Sequence, residues 1–186
     1  MIKAGQLSKG VFILVKGEPY EVTEREFVNP GKGSAFVRVK LKNMKSGQVL
    51  KQTIKTQDQV EDIEVTEMEC QYLFSDGENL HFMNSETYEQ FGIPAAVLED
   101  KSQFLKEGET YELVMWEDRP LDIMLPYKVK YTVTQAEEAV KGDTVTGATK
   151  TVEVETGLTV KVPLFIKEGD NILVNTETGE YVERVN

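Results

Sequence analysis

The 186 residues contain one cysteine, one histidine and one tryptophan. A lone Cys70 has no partner for an internal disulfide and no second thiol for a metal site, so it is expected to be a small buried strand residue. His81, beside Phe82 in an apolar run, is expected to be structural rather than catalytic. No serine or cysteine has a neighbouring constellation that would activate it as a nucleophile. Trp116 follows Leu113-Val114-Met115 and is expected in a barrel core rather than on a base-stacking platform. Also absent is any run of about 20 apolar residues, the length a membrane span needs, and the start Met1-Ile2-Lys3-Ala4-Gly5-Gln6 lacks the apolar stretch of a secretion signal. The expected location is therefore the cytoplasm, with no membrane partner.

Positive charge is scarce overall, since the formal net charge is -11. Such a chain repels phosphate at long range, which argues against nucleic acid as a partner. The distribution reverses the argument. Residues 1–63 carry a net +4, residues 64–127 a net -12 and residues 128–186 a net -3. One end attracts polyanions and the middle avoids them.

What the chain does have is a succession of short runs rich in Val, Ile, Phe, Tyr and Thr, broken by Gly, Asp and Asn. That pattern indicates small antiparallel β units. The runs include Tyr20 to Val28, Phe36 to Leu41, Val49 to Ile54, Tyr111 to Trp116 and Tyr181 to Val185. Asp76-Gly77, between Tyr72-Leu73-Phe74 and Leu80-His81-Phe82, is expected to form a two-residue type I′ hairpin. Thr178-Gly179 carries a weaker signal of the same kind. Only the segment around Ile93-Pro94-Ala95-Ala96-Val97-Leu98 reads as a helical turn, with Pro94 acceptable at its first position. No solenoid-length repeat stands out. The expected fold is all-β, three barrel units of about 60 residues each, with boundaries at 1–63, 64–127 and 128–186.

From Phe27 to Gln57 there is no Asp or Glu, yet seven cations occur: Lys32, Arg38, Lys40, Lys42, Lys45, Lys51 and Lys55. In a strand over Phe36 to Lys42, the period of two places Arg38, Lys40 and Lys42 on one face and Val37, Val39 and Leu41 on the other. A solvated strand face is the plain alternative. The absence of acids over 31 residues of so acidic a chain favours a polyanion site.

Just before that strand lies Asn29-Pro30-Gly31-Lys32-Gly33-Ser34. Pro30 fixes its own φ and biases Asn29 toward extended geometry, while Gly31 and Gly33 permit backbone angles closed to other residues. Lys32 is thereby expected alone at a hairpin tip, as a cation rather than a general base. Two nucleotide motifs fail here. A P-loop would need glycine where Glu26 stands, and a dinucleotide fingerprint would need its third glycine at Phe36. The acidic middle lacks the ordered carboxylate spacing of a calcium loop, so no metal and no cofactor is expected.

These residues resemble a known family. Gly17-Glu18-Pro19-Tyr20, Glu26-Phe27-Val28-Asn29-Pro30-Gly31-Lys32-Gly33 and Ala35-Phe36-Val37-Arg38-Val39-Lys40-Leu41 are similar to the first domain of bacterial elongation factor P. Tyr72-Leu73-Phe74-Ser75-Asp76-Gly77 and His81-Phe82-Met83-Asn84 resemble its second domain. Gly142-Asp143-Thr144, Thr156-Gly157, Val160 to Phe165 and Gly179-Glu180-Tyr181-Val182 resemble its third.

The resemblance implies an L-shaped, tRNA-like arrangement of an N-terminal KOW-type (SH3-like) barrel followed by two OB-folds. It implies a non-catalytic cytoplasmic monomer that binds both subunits of the ribosome between the peptidyl and exit sites and relieves stalling on consecutive prolines. By the same resemblance Lys32 faces the CCA end of P-site peptidyl-tRNA, supported by the tip residues Pro30, Gly31, Gly33 and Ser34. Arg38, Lys40 and Lys42 would bind RNA along the acceptor stem, and Gly142, Asp143 and Thr144 would lie on the small-subunit and mRNA side. Lys32 is expected to be the substrate of a lysine-modifying enzyme. Lysine at the tip disfavours the rhamnosylated branch that uses arginine; β-lysylation, an aminopentanol-type addition and no modification all remain open. Pro-Gly-Lys-Gly favours the main branch over a close paralogue. From the basic strand alone, a generic RNA-binding or chaperone module of OB-type barrels is the alternative function. A hydrolase using the acidic middle has little support.

Overall fold

The computed structural model describes residues 1–138 and 148–186. Its first sheet contains β1 (Ile2–Lys3), β2 (Phe12–Val15), β3 (Glu18–Val28), β4 (Phe36–Asn43), β5 (Val49–Lys55) and β6 (Gln59–Asp62), in the order β1-β6-β2-β3-β4-β5. Every pairing is antiparallel. Alternation decides the packing: Val37, Val39 and Leu41 of β4 point inward and join Ala4, Leu7, Ile13 and Val22 in a closed apolar core.

A second sheet follows, made of β7 (Thr66–Ser75), β8 (Asn79–Asn84), β9 (Gln90–Pro94), β10 (Thr110–Trp116) and β11 (Arg119–Met124), ordered β11-β10-β7-β8-β9. A short α1 (Ala95–Leu98) leaves β9 and buries Val97 and Leu98. Tyr72 and Phe82 meet inside with ring centroids 5.4 Å apart and tilted, a favourable aromatic geometry. The third sheet comprises β12 (Lys128–Ala136), β13 (Thr149–Val154), β14 (Thr159–Pro163), β15 (Asn171–Asn175) and β16 (Tyr181–Val185), ordered β14-β13-β12-β15-β16. Its core centres on fully buried Tyr131, whose hydroxyl donates to the Phe104 carbonyl at 2.6 Å. Buried tyrosines need such a partner.

The chain divides into two compact units: residues 1–99 with 107–124, which hold the first two sheets, and residues 100–106 with 125–186, which hold the third. The all-β expectation holds, as three curled antiparallel sheets.

Several local expectations change. Asp76-Gly77 does turn the chain, but residues 76–78 form a three-residue loop and only Gly77 has positive φ, at 94°. The Asp76 carboxylate accepts the Glu78 and Asn79 amides at 2.9 and 2.7 Å, replacing a type I′ turn with an Asx-type turn. The type I′ geometry instead occurs at Lys16-Gly17, with φ of 52° and 79°, joining β2 to β3 where Val15 pairs with Glu18. Pro94 is the residue before α1, not its first helical position. Trp116 is half-buried at the end of β10 rather than in the core.

Within the first unit the β4–β5 turn packs against α1. Gly47 has φ of 75°, and a Cβ there would lie 2.7 Å from the Ala96 carbonyl carbon. Glycine is the residue that fits both the angle and the approach.

Candidate nucleic-acid interface

β3 and β4 form a long hairpin whose register is symmetric about one residue. Val28 pairs with Phe36, Phe27 with Val37, Glu26 with Arg38 and Glu24 with Lys40. Lys32 is four residues from both Val28 and Phe36 and so sits at the centre of the turn. Pairing of β3 with β4 ends at Val28 and Phe36; residues 29–34 continue as the tip, and Ala35 is held at its base by the Thr56 amide, which donates to the Ala35 carbonyl at 3.0 Å. Lys32, Gly31, Gly33 and Ser34 are exposed, and Pro30 is partly so. Lys32 makes no hydrogen bond or ion pair among the described residues.

The two tip glycines differ. Gly33 has φ of 108°, a conformation that L side chains avoid. Gly31 has no positive φ and open space where a Cβ would project, so the fold itself does not demand glycine there.

Arg38 and Lys40 occupy the outward face of β4, as its alternation predicts. Both face acids that the linear count from Phe27 to Gln57 missed. Lys40 Nζ meets Glu24 Oε1 at 2.6 Å, and Arg38 Nη1 meets Glu26 Oε2 at 3.5 Å. A shallow groove of about 420 Å³ lies here, with Lys51 of β5 opposite Lys40 in register. Exposed pairs of this kind contribute roughly 0–1 kcal/mol and are readily exchanged for a stronger anion. The face therefore holds mixed charge at rest, and a polyanion would have to displace Glu24 and Glu26 from their partners.

Lys42 departs from expectation. It shares the face of Arg38 and Lys40, but it is buried and its Nζ lies 3.4 Å from Glu99 Oε2, just beyond α1. Packing of the second sheet's helical corner over this end of β4 removes Lys42 from the exposed basic face. No motif in β4 marks that change; it depends on Glu99, 57 positions along the chain.

The hairpin also presents residues that the sequence reading passed over. Phe27 is 52% exposed, with the Arg25 guanidinium 6.0 Å from its ring centroid. On the neighbouring strand Arg38 lies 5.5 Å from the centroid of Phe36. Arg25 is anchored by a 2.9 Å hydrogen bond from Nη2 to the Gly5 carbonyl. Centring the hairpin on Lys32 is enough to bring Glu24, Glu26, Arg25 and Phe27 to notice, because it fixes which residues face one another.

His81 Nε2 donates to the Asp76 Oδ2 carboxylate, 2.8 Å away, and its ring stacks on Phe74 at 4.6 Å. Backbone amide donation from Asn79, then the His81 contact and the Glu78 amide, pull Asp76 down to about 2. Burial pushes the Cys70 thiol up to about 11, aided by the charges of Glu112 and Glu69. Cys70 is fully buried. Among the described residues, no group of three or more His, Cys, Asp or Glu side chains could hold a metal ion. Gly142, Asp143 and Thr144 lie outside the described residues.

Comparison with known proteins agrees with this architecture. Residues 3–60 match the elongation factor P KOW-like domain, residues 65–123 the elongation factor P OB domain, and residues 129–184 the elongation factor P C-terminal domain. Elongation factor P of Treponema denticola is 54% identical over 186 residues and covers all of both chains. That of Treponema pallidum is 50% identical with the same coverage. That of Borrelia hermsii is 54% identical over 187 residues, covering 99% of this chain and 97% of its own. A solved structure described as eukaryotic translation initiation factor 5A from Methanococcus jannaschii matches 66% of this chain and 90% of its own, with a TM-score of 0.50. At 23% identity that likeness concerns the fold alone.

A KOW-like barrel followed by an OB domain and a third β domain, with full-length relatives of this kind, defines a translation elongation factor. The chain belongs to the elongation factor P family.

Proposed function

We propose that this factor binds the ribosome between the peptidyl and exit sites and accelerates peptide-bond formation when consecutive prolines stall it, by placing Lys32 against the CCA end of P-site peptidyl-tRNA. The observation that carries the reading is the Lys32 tip: an exposed, unpartnered cation at the centre of a symmetric hairpin, beyond the last paired residues on both strands.

The chemistry fits the geometry. Proline is a constrained secondary amine without a backbone N–H, so attack geometry is hard to reach. A group that orders the end of peptidyl-tRNA lowers the entropic part of that barrier without moving a proton. The role is non-catalytic. Arg38 and Lys40 anchor the hairpin on acceptor-stem phosphates by exchanging Glu24 and Glu26 for RNA. Lys42 supports the barrel instead.

Lys32 is the residue on which a lysine-modifying enzyme acts, since extension there lengthens reach and adds donors. The protein works as a cytoplasmic monomer, with functional segments at 1–63, 64–127 and 128–186. The mixed charge of the β3–β4 face disfavours a generic RNA-binding module.

The test is in vitro translation of a Pro-Pro-Pro reporter. Wild type, carrying the modification of its host where there is one, relieves the stall and Lys32→Ala does not. Equal relief by both removes Lys32 from the mechanism, and no relief by the wild type overturns the function.

A further inference from the structure

The outward face of β3, β4 and β5 reads in rows across the strands. One row is Glu24-Lys40-Lys51 and the next is Glu26-Arg38-Thr53. All six residues line the shallow groove. Each row sets a carboxylate beside a cation, at 2.6 Å for Glu24 with Lys40 and at 3.5 Å for Glu26 with Arg38. Lys51 is exposed and joins no ion pair among the described residues. Cations therefore outnumber carboxylates in the groove, but only just.

A face that had only to hold phosphate would be better without these acids. Cross-strand pairing does not account for them, since exposed pairs of this kind contribute little to stability. When a phosphate takes Lys40 or Arg38, the displaced carboxylate is left close to it, and like charges at short range repel. A hydrogen-bond donor beside the phosphate would offset that repulsion. RNA carries one in every nucleotide, the ribose 2′-hydroxyl, which DNA lacks. Phosphate accepts from the cation and the hydroxyl donates to the carboxylate, so each row holds the chemical complement of one nucleotide. The interval between rows fits as well. Positions two apart on an antiparallel strand lie about 6.8 Å from one another, a distance similar to that between successive phosphates of one nucleic-acid strand.

We infer that Glu24 and Glu26 are specificity residues that accept hydrogen bonds from the 2′-hydroxyls of two consecutive nucleotides, while Lys40 with Lys51, and Arg38, hold the adjoining phosphates. The face thereby selects RNA over DNA. Both carboxylates weaken the attraction for any polyanion, but only RNA returns a charge-assisted hydrogen bond to each. The inference rests on the ribosomal reading above and adds the chemical group by which the hairpin distinguishes one nucleic acid from the other.

The experiment measures binding of the full chain to an RNA duplex, a DNA duplex of the same sequence and a 2′-O-methyl RNA duplex, with purified bacterial ribosomes as a separate arm. Wild type is expected to bind the RNA about tenfold more tightly than the DNA. The 2′-O-methyl duplex keeps the RNA shape without the hydroxyl donor, and wild type should bind it about as weakly as DNA. That arm does not depend on the fold of any variant. Glu24→Ala with Glu26→Ala should bind DNA more tightly than wild type does and lose most of the RNA preference. Asp58→Asn with Glu61→Gln removes the same charge from exposed positions of the same barrel that join no ion pair among the described residues, so it should raise both affinities alike and keep the preference. Equal binding of RNA and 2′-O-methyl RNA by wild type, or a full RNA preference in the alanine variant, overturns the inference and leaves the ribosomal reading standing. Failure of the wild type to bind ribosomes overturns both.

Discussion

Lys42 of β4 and Glu99 at the end of α1 form an ion pair at 3.4 Å, with the lysine side chain only 10% exposed and the glutamate 54% exposed. The pair joins the strand that carries the basic face to the helical corner of the second sheet. Lysine suits the place because its methylene stem packs along apolar surface while the ammonium reaches a carboxylate at the edge.

Lys42→Ala is expected to destabilise the protein by about 1–2 kcal/mol, mainly through lost stem packing, as measured by urea denaturation. Glu99→Gln removes only a partly solvated charge and should cost less than about 1 kcal/mol. Lys40→Ala should flatten the salt dependence of ribosome binding by about 0.7–0.9 in the log-log slope for its lost phosphate contact, whereas Lys42→Ala leaves that slope unchanged.

Gly47 in the β4–β5 turn and Gly179 in the β15–β16 turn, with φ of 75° and 73°, separate backbone strain from crowding. Gly179 has open space around it, so Gly179→Ala meets only the left-handed φ and should cost about 1–2 kcal/mol. Gly47→Ala meets the same φ and the Ala96 backbone as well, for a total of about 2–4 kcal/mol. Equal denaturation midpoints for the two variants would show that the β4–β5 turn yields to the methyl group.

Acid stability carries the signature of Asp76. Its folded value of about 2 lies below the ordinary 3.8, so it favours the folded state fully above pH 3.8 and loses that contribution as pH falls toward 2. Asp62, lowered by its contact with the N-terminal ammonium, acts in the same direction. Melting curves between pH 2 and pH 6 should therefore fall less steeply for Asp76→Asn, which keeps an acceptor for the Glu78 and Asn79 amides but has no carboxylate to protonate.

Cys70 reports on the integrity of the second sheet. Its thiol is fully buried and raised from 9.0 to about 11, so the folded protein should resist thiol reagents at pH 8 and react on unfolding. Stability should fall as pH rises from 9.0 toward 11, where the unfolded thiol ionises first. Rapid labelling of the native protein at pH 8 would mean that β7 opens readily.

Much of the fold was legible in local pattern. Alternation along β4 separated Val37, Val39 and Leu41 from Arg38 and Lys40, because adjacent strand side chains must point to opposite faces. Pro30, Gly33 and the cation between them located the tip, because proline and glycine restrict or extend backbone angles whatever surrounds them. Less legible were features that depend on a second segment. Asp76-Gly77 was a sound turn signal of the wrong type, since the Asp76 side chain captured two amides. Trp116 followed three buried residues yet falls at the strand's end, where burial is incomplete.

By itself the sequence determined the β character, the division of charge along the chain and the lone lysine between glycines, all properties of neighbouring residues. Tertiary structure alone decided which cations stay available. Hairpin register set Glu24 and Glu26 against Lys40 and Arg38, and packing of α1 enclosed Lys42 beside Glu99. It also left Tyr88 outside any core while holding it at a glycine's backbone angle. The reason is physical: a side chain's type is local, but its exposure and its partners are set by whatever the folded chain brings against it.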